Sequence, residues 1–271
     1  MAMIVKHNLQ AMNSNRMLAV NSSTLSKSTE KLSSGYKINR AADDAAGLSI
    51  SEKMRRQVRG LNQASANAQD GVSMVQTAEG ALNEVHDMLQ RLNELAVKAN
   101  NGTLQSEDIV YIDDEVKQLY SEIDRTANDT KFNKKDLLTT DTTYTLQVGA
   151  ESGQTITLGV SEMRASKIGL SNITSNYAIS SGQSITDIDT AIQSVSRFRS
   201  SLGAVQNRLE HTINNLDNVA ENTQAAESRI RDTDMASEMV KYSNNQIIAQ
   251  AGQAMLAQAN QANQGVLSLL Q

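Results

Sequence analysis

From Val75 onward, apolar or small residues fall at Val75, Ala78, Leu82, Val85, Leu89, Leu92, Ala96 and Ala99, in alternating steps of three and four. That alternation keeps side chains on one face of a helix and builds a seam suited to knobs-into-holes packing. After a turn at Asn101 and Gly102, the same steps recur at Ile109, Ile112, Val116, Leu119 and Ile123. They return at Leu202, Val205, Leu209, Thr212, Leu216, Val219, Thr223, Ala226 and Ile230. Three helices with one seam each bury those seams most simply in an elongated antiparallel bundle. The 271 residues include no Pro, which breaks helix interiors by removing a donor and clashing with the preceding turn. With no Trp and only 2 Phe, the expected core is a thin one of small and aliphatic side chains along seams.

The period changes once. In YTLQVGAESGQTITLGV, Tyr144, Leu146 and Val148, then Ile156, Leu158 and Val160, alternate with polar residues around Gly149 to Gly153. This predicts a β-hairpin at about 143–160. The Ser-, Thr- and Asn-rich stretch after it reads as loop or short strand to about Asp187.

The two chain ends match each other. Ile4, Ala11, Leu18, Leu25 and Leu32 lie seven apart. At the other end Lys241 is the last charged residue, and Ile247, Ile248, Ala251, Met255, Ala259, Val266 and Leu270 stand among many amides. Amides in that number oppose a membrane span and suit burial against protein, where they hydrogen-bond neighbours. LSSGYKINRAADDAAG breaks the helical pattern near the N-terminus and RIRDTDMASEM breaks it near the C-terminus, with Asp43 or Asp44 and Asp234 available as helix caps. The expected fold is mainly α: a helical-bundle rod with a small hairpin, and terminal helices paired in an inner coiled coil. Residues 1–34 and 235–271 form the inner part, 35–43 and 230–234 the linkers, and 44–229 the outer rod.

No reactive constellation is legible. His7, His86 and His211 have no second His three or four residues away, so catalytic and metal-site residues are expected to be none, and cofactors none. Asp232 and Asp234 lack the Gly and Glu that complete a calcium loop. The net charge of −5 opposes a general nucleic-acid surface. Arg55, Arg56 and Arg59 lie on a helix whose apolar positions Ile50, Met54, Val58 and Leu61 are expected to face inward. The 11 Met read as fillers of irregular helical seams. The N-terminus has no apolar run long enough for a signal-peptide core, so the expected export route reads no cleaved signal.

Four segments, KLSSGYKINRAADDAAGLSISEKMR, QDGVSMVQTAEGALNEVHDMLQRLNELAVKAN, LGAVQNRLEHTINNL and AAESRIRDTDMASEMVKYSNNQIIAQAGQAMLAQANQ, resemble bacterial flagellin. The resemblance spans nearly all the chain except about 139–190. It implies a minimal form without most of the variable outer region, and Phe132-Asn133-Lys134 departs from the family's Phe-Asn-Gly turn. It further implies a structural, non-enzymatic subunit of the flagellar filament, exported by a flagellar type III apparatus and extracellular. Implied partners are copies of itself in a helical homopolymer, the filament cap, hook-junction proteins, an export chaperone on the C-terminal segment, and Toll-like receptor 5. For receptor and axial subunit contact the resemblance points to Arg91, Leu95 and Glu115. The inner seam for polymerisation is expected at Ile4, Ala11, Leu18, Leu25, Leu32, Ile247, Ala251, Met255, Val266 and Leu270. A hook-filament junction protein, or a secreted coiled-coil effector or adhesin, is the competing reading.

Overall fold

The computed structural model describes residues 8–170, Ile179 and 182–269, with side chains described as far as Gln261. Among these, five helices carry the chain: α1 (Leu9–Ser34), α2 (Ala45–Ala99), α3 (Ser106–Asp129), α4 (Gly182–Arg231) and α5 (Met235–Leu269). Four strands form two antiparallel pairs, β1 (Lys131–Phe132) with β2 (Lys135–Asp136) and β3 (Thr142–Gln147) with β4 (Thr155–Val160). The chain divides into two compact units, one of residues 1–56 and 222–271, the other of 57–221.

In the 57–221 unit the three-four seams behave as their spacing predicts. Every α2 seam position from Val75 to Ala99 is buried, and Ile112, Val116 and Ile123 of α3 join them in one core. Helices α2 and α4 run antiparallel, with Ser65 Oγ donating to Asp217 Oδ1 at 3.0 Å and Glu79 beside Arg199 farther along. The α4 seam departs at one place: Val219 is exposed and Ala220 takes the buried position after Leu216. A step of four there brings the small Ala220 against Leu61 and Ala64. At its start, α4 reaches back to Gly182, so helix replaces the loop expected to Asp187. Its early seam runs Ser184, Ile188, Ala191, Val195, Phe198 and Leu202, and the polar first member hides the period.

The predicted hairpin is β3 with β4, in the register Tyr144↔Leu158 and Leu146↔Ile156. Its apolar face closes the helical core through Leu158 and Val160, while Val148 and Ile156 pack with Ala68 and Leu209. The shorter hairpin, β1 with β2, has no alternation long enough to read from sequence. Its turn is Asn133-Lys134, both at positive φ, 47° and 64°. Two-residue hairpin turns of this hand require positive φ at both central positions and favour Asn-Gly. Lys134 therefore holds a backbone conformation that its Cβ opposes.

Two substitutions test this unit. Lys134→Gly should raise stability by about 1 kcal/mol. Leu89→Ala, at a fully buried seam position, should lower it by about 2–5 kcal/mol. Denaturant unfolding of the subunit measures both, and an unchanged midpoint for Leu89→Ala would contradict the seam.

Candidate assembly interface

Helix α1 starts where the Asn8 Oδ1 accepts the Ala11 N–H at 2.9 Å, and stops where Gly35 turns left-handed at φ 75°. Helix α5 pairs with it in antiparallel fashion. The α1 face turned to the pair is Ala11, Ser14, Leu18, Asn21, Leu25, Ser28 and Leu32, in steps of three and four. The matching α5 face is Glu238, Tyr242, Asn245, Ala249, Gly252, Leu256 and Ala259, in steps of four and three. Apolar residues occupy one heptad position of α1, and Ser14, Asn21 and Ser28 occupy the other.

The polar positions tie the helices together. Asn8 Nδ2 donates to the Ala259 carbonyl at 2.9 Å and Asn21 Nδ2 to the Asn245 carbonyl at 2.8 Å. Ser28 Oγ donates to Glu238 Oε1 at 2.7 Å, and Lys241 Nζ approaches the other carboxylate oxygen at 3.2 Å. Glu238 is buried, yet the Ser28 hydrogen bond, helped by Lys241 and by the charge of Lys31, holds its carboxyl below the usual glutamate range against the opposing effect of burial. Gly252 sets the closest approach. A Cβ placed there would meet Leu18 Cδ1 at 3.2 Å, tighter than ordinary packing.

Within the chain, the C-terminal positions expected in the seam do not meet α1. Ile247, Ala251 and Met255 are exposed: Ala251 and Met255 lie one residue from Gly252 and Leu256 of the face that meets α1, and Ile247 lies on the opposite side of α5. Gly252 packs because it lets the backbones approach, and Tyr242 and Leu256 share its face with the polar Glu238 and Asn245. Ala11, Leu18, Leu25 and Leu32 are half-buried on the α1 seam. Ile4, Val266 and Leu270 lie outside the residues whose side chains are described.

The two helix breaks lie together. Lys37 N–H donates to the Arg231 carbonyl at 2.6 Å and Thr233 N–H to the Gly35 carbonyl at 2.9 Å, a bridge centred on Tyr36 and Asp232. The Arg231 guanidinium lies 4.6 Å over the Tyr36 ring and reaches Glu52 at 3.0 Å. Of the acids, Asp44 caps α2 through Gly47 N–H at 2.9 Å, and Asp234 caps α5 through Ala236 and Ser237 N–H at 3.0 and 3.2 Å. Asp43 instead folds back on the preceding turn. Its Oδ2 accepts from Arg40 and Asn39 N–H, which lowers its pKa. In this region Ile50 is exposed rather than inward, because Gly47 and Ser51 take the buried positions; Met54 and Val58 are half-buried and Leu61 is buried. Arg55 is held by Glu52 and Glu227 of the same chain.

The surface that the pair leaves outside carries large apolar side chains among polar ones. Leu9, Met12, Met17 and Val20 of α1 are exposed, as are Met235, Met239, Val240, Ile247, Ile248 and Met255 of α5. Met17 and Met255 line a groove of about 230 Å³ with Leu18, Ile248 and Gly252. The expectation that Met only fills seams is thereby corrected. Met74 and Met163 are buried, but Met12, Met17, Met235, Met239 and Met255 face outward. A face this apolar marks a site that another protein surface covers.

In the 57–221 unit, Arg91 bridges α2 and α3, with Nη2 2.9 Å from Glu115 and Nη1 3.0 Å from Glu94. Both partners raise its pKa, Glu94 first. Leu95 does not share that exposure and is corrected to a core residue, 2% exposed. Helix α3 covers it, leaving it at the base of a shallow groove bordered by Leu104, Tyr111, Ile112 and Glu115. Among the described residues no group of three or more His, Cys, Asp or Glu is placed to hold a metal, and no helix is long and apolar enough to cross a membrane.

Residues 5–143 match the bacterial flagellin N-terminal helical region, and residues 185–270 match the bacterial flagellin C-terminal helical region. The chain belongs to the bacterial flagellin family. A flagellin of Halalkalibacterium halodurans is 54% identical over 275 residues, spanning 99% of this chain and 100% of the relative. The flagellin of Bacillus subtilis is 47% identical over 307 residues, again spanning 99% and 100%. The crystal structure of Bacillus cereus flagellin matches with a TM-score of 0.50 at 34% identity, over 56% of this chain and 88% of that one. This flagellin is a structural, non-enzymatic subunit of the extracellular flagellar filament.

The Glu238 contact carries a pH dependence whose sign is fixed. Its folded pKa is lowered, so its contribution is present above the ordinary glutamate value and is lost as pH falls through the folded one. Glu238→Gln should therefore raise the critical concentration for filament assembly at neutral pH, with the two proteins converging on acidification below the ordinary glutamate range. Sedimentation of filaments across that range measures it; a constant difference at every pH would remove Glu238 from the account.

Proposed function

We propose that this flagellin leaves the cell through a flagellar type III apparatus with its terminal segments loosely ordered, and that these fold as subunits stack. Residues 1–34 and 235–271 then form the inner coiled coil, 35–43 and 230–234 the linkers, and 44–229 the outer rod. The carrying observation is the contrast between the two pairs of seams. In the 57–221 unit the seams are packed with buried Leu, Ile and Val, whereas in the pair of α1 and α5 the apolar Leu18, Leu25, Leu32 and Leu256 alternate with Ser, Asn, Ala and Gly and are only half-buried, and further large apolar side chains stay outside. Two helices whose seam residues are mostly half-buried gain little from pairing alone, and helix propensity does not make up the difference. Covering the outer face with further copies supplies the missing burial, and repetition of one non-closing contact yields a helical homopolymer.

The filament cap, hook-junction proteins and a cytoplasmic export chaperone on the C-terminal segment would meet the same chain at other stages. For Toll-like receptor 5, the supporting features are the exposed Arg91 and Glu115 beside the groove floored by Leu95. A charge pair already formed presents a planar, oriented guanidinium to a partner. The same surface serves axial contact between stacked subunits.

Amide hydrogen exchange on the free subunit, repeated after adding filament seeds, tests the assembly reading. Residues 8–32 and 236–261 should exchange rapidly in the subunit and slowly once fibres elongate. Ends already protected in the free subunit would overturn assembly-coupled folding. Arg91→Ala should weaken binding of the free subunit to the receptor ectodomain about tenfold, the scale of one interface hot spot. Unchanged receptor affinity would move Arg91 to axial packing alone.

A further inference from the structure

The described methionines are not spread evenly. Met12, Met17, Met235, Met239 and Met255 are all on the terminal pair and are 47–62% exposed. Those of the 57–221 unit are Met74 and Met163, both buried, and Met88, half-buried. A thioether is a soft, apolar group that also accepts oxygen from a peroxide, at a rate that depends on access. The terminal pair thus carries its oxidisable sulfur on its outer surface, which the assembly reading buries when the subunit is incorporated.

We propose that these five methionines are an oxidative modification site that gates polymerisation: a peroxide converts their thioethers to sulfoxides in the free subunit, and a sulfoxide-bearing subunit is rejected by the growing filament. The inference rests on the assembly reading of the outer face of α1 and α5. In the chemical step, Sδ attacks one peroxide oxygen, the S–O bond forms as the O–O bond breaks, and the proton on the transferred oxygen passes to the departing hydroxide to make water. Sulfur loses two electrons and hydrogen peroxide gains them, so no other co-reactant is needed. The product is a polar, chiral sulfoxide in place of an apolar side chain. Met17 and Met255 line the same groove with Leu18, Ile248 and Gly252, so oxidation of either places a strong acceptor in a cleft lined mainly by apolar atoms. Although Asn13, Ser14 and Asn21 also line this groove, burying a sulfoxide costs more than burying a thioether, which opposes docking, and each buried sulfoxide adds to the effect.

The arrangement is self-limiting. Once a subunit is in the filament its sulfurs are covered, so oxidation acts on subunits awaiting incorporation. Because methionine sulfoxide is reducible, the effect is also reversible.

The test uses the full chain with hydrogen peroxide as the probe. Peptide mass spectrometry locates sulfoxides in free subunits and in preformed filaments, and seeded elongation is timed before and after treatment. Expected are sulfoxides at the five exposed positions in subunits but not in filaments, elongation at least about tenfold slower for oxidised subunits, and recovery after treatment with methionine sulfoxide reductases. A variant with all five changed to Leu should elongate in peroxide at its untreated rate. Oxidised wild-type subunits that elongate normally would overturn the proposal, as would slowing that the reductases do not reverse. If untreated wild-type subunits do not extend seeds, the assembly reading itself falls and the proposal with it. That result is distinct from normal elongation that survives oxidation.

Discussion

Two backbone hydrogen bonds, Lys37 to Arg231 and Thr233 to Gly35, hold the chain's two interruptions side by side. Everything that the terminal helices do depends on that bridge. Helices α1 and α5 are separated by some two hundred residues, and closing such a loop opposes their pairing through lost chain entropy. Once the breaks are fastened, the helices begin from a common point and the closure has already been made. Gly35 can supply the left-handed turn there, and Arg231 lies across Tyr36 while reaching Glu52, so the same few residues terminate α1 and α4 and set the direction in which α5 departs.

From that starting point, polar groups rather than bulk select the register. A seam of Leu against Leu tolerates slippage, because neighbouring registers bury similar areas. Slipping α1 against α5 would instead strand Asn21 away from the Asn245 carbonyl and leave the Glu238 carboxylate without Ser28. A buried acceptor that loses its donor is penalised more than the bond itself contributes. The terminal pair is therefore specific without being strongly apolar, which suits a segment whose apolar surface is reserved for other copies.

The legibility of the chain follows the same division. Seams of Val, Leu and Ile repeat visibly, so α2, α3 and the later part of α4 could be read from spacing, as could the hairpin of β3 and β4. The break at LSSGYKIN and its counterpart at RIRDTD were legible because both interrupt strong periodicity. The α5 face was not, since its packing positions include Glu238, Asn245 and Gly252, which no apolar count selects, while the conspicuous Ile247 and Met255 point outward. Ser184 conceals the start of α4 in the same way, and Leu95 looks like a surface residue only until α3 is placed over it. Hydrophobic periodicity reports which side chains avoid water, but it does not distinguish a surface closed within the chain from one closed by another copy.

That distinction also explains how one chain can be both separable and polymeric. If Met17, Val20, Ile247 and Met255 also faced inward, the ends would form a more stable pair with less left to offer a neighbour. Turning them outward weakens the isolated pair and strengthens the lattice, so the same substitution can move subunit stability and assembly in opposite directions. The exposed methionines suit this role because their flexible, unbranched side chains adapt to more than one packing environment. Replacing them with β-branched residues would stiffen the face and narrow the set of neighbours it accepts. With Met, Val and Ile on the outside, and the Leu of its seam interleaved with Ser, Asn and Gly, the pair leaves assembly as the step at which its remaining apolar surface is buried.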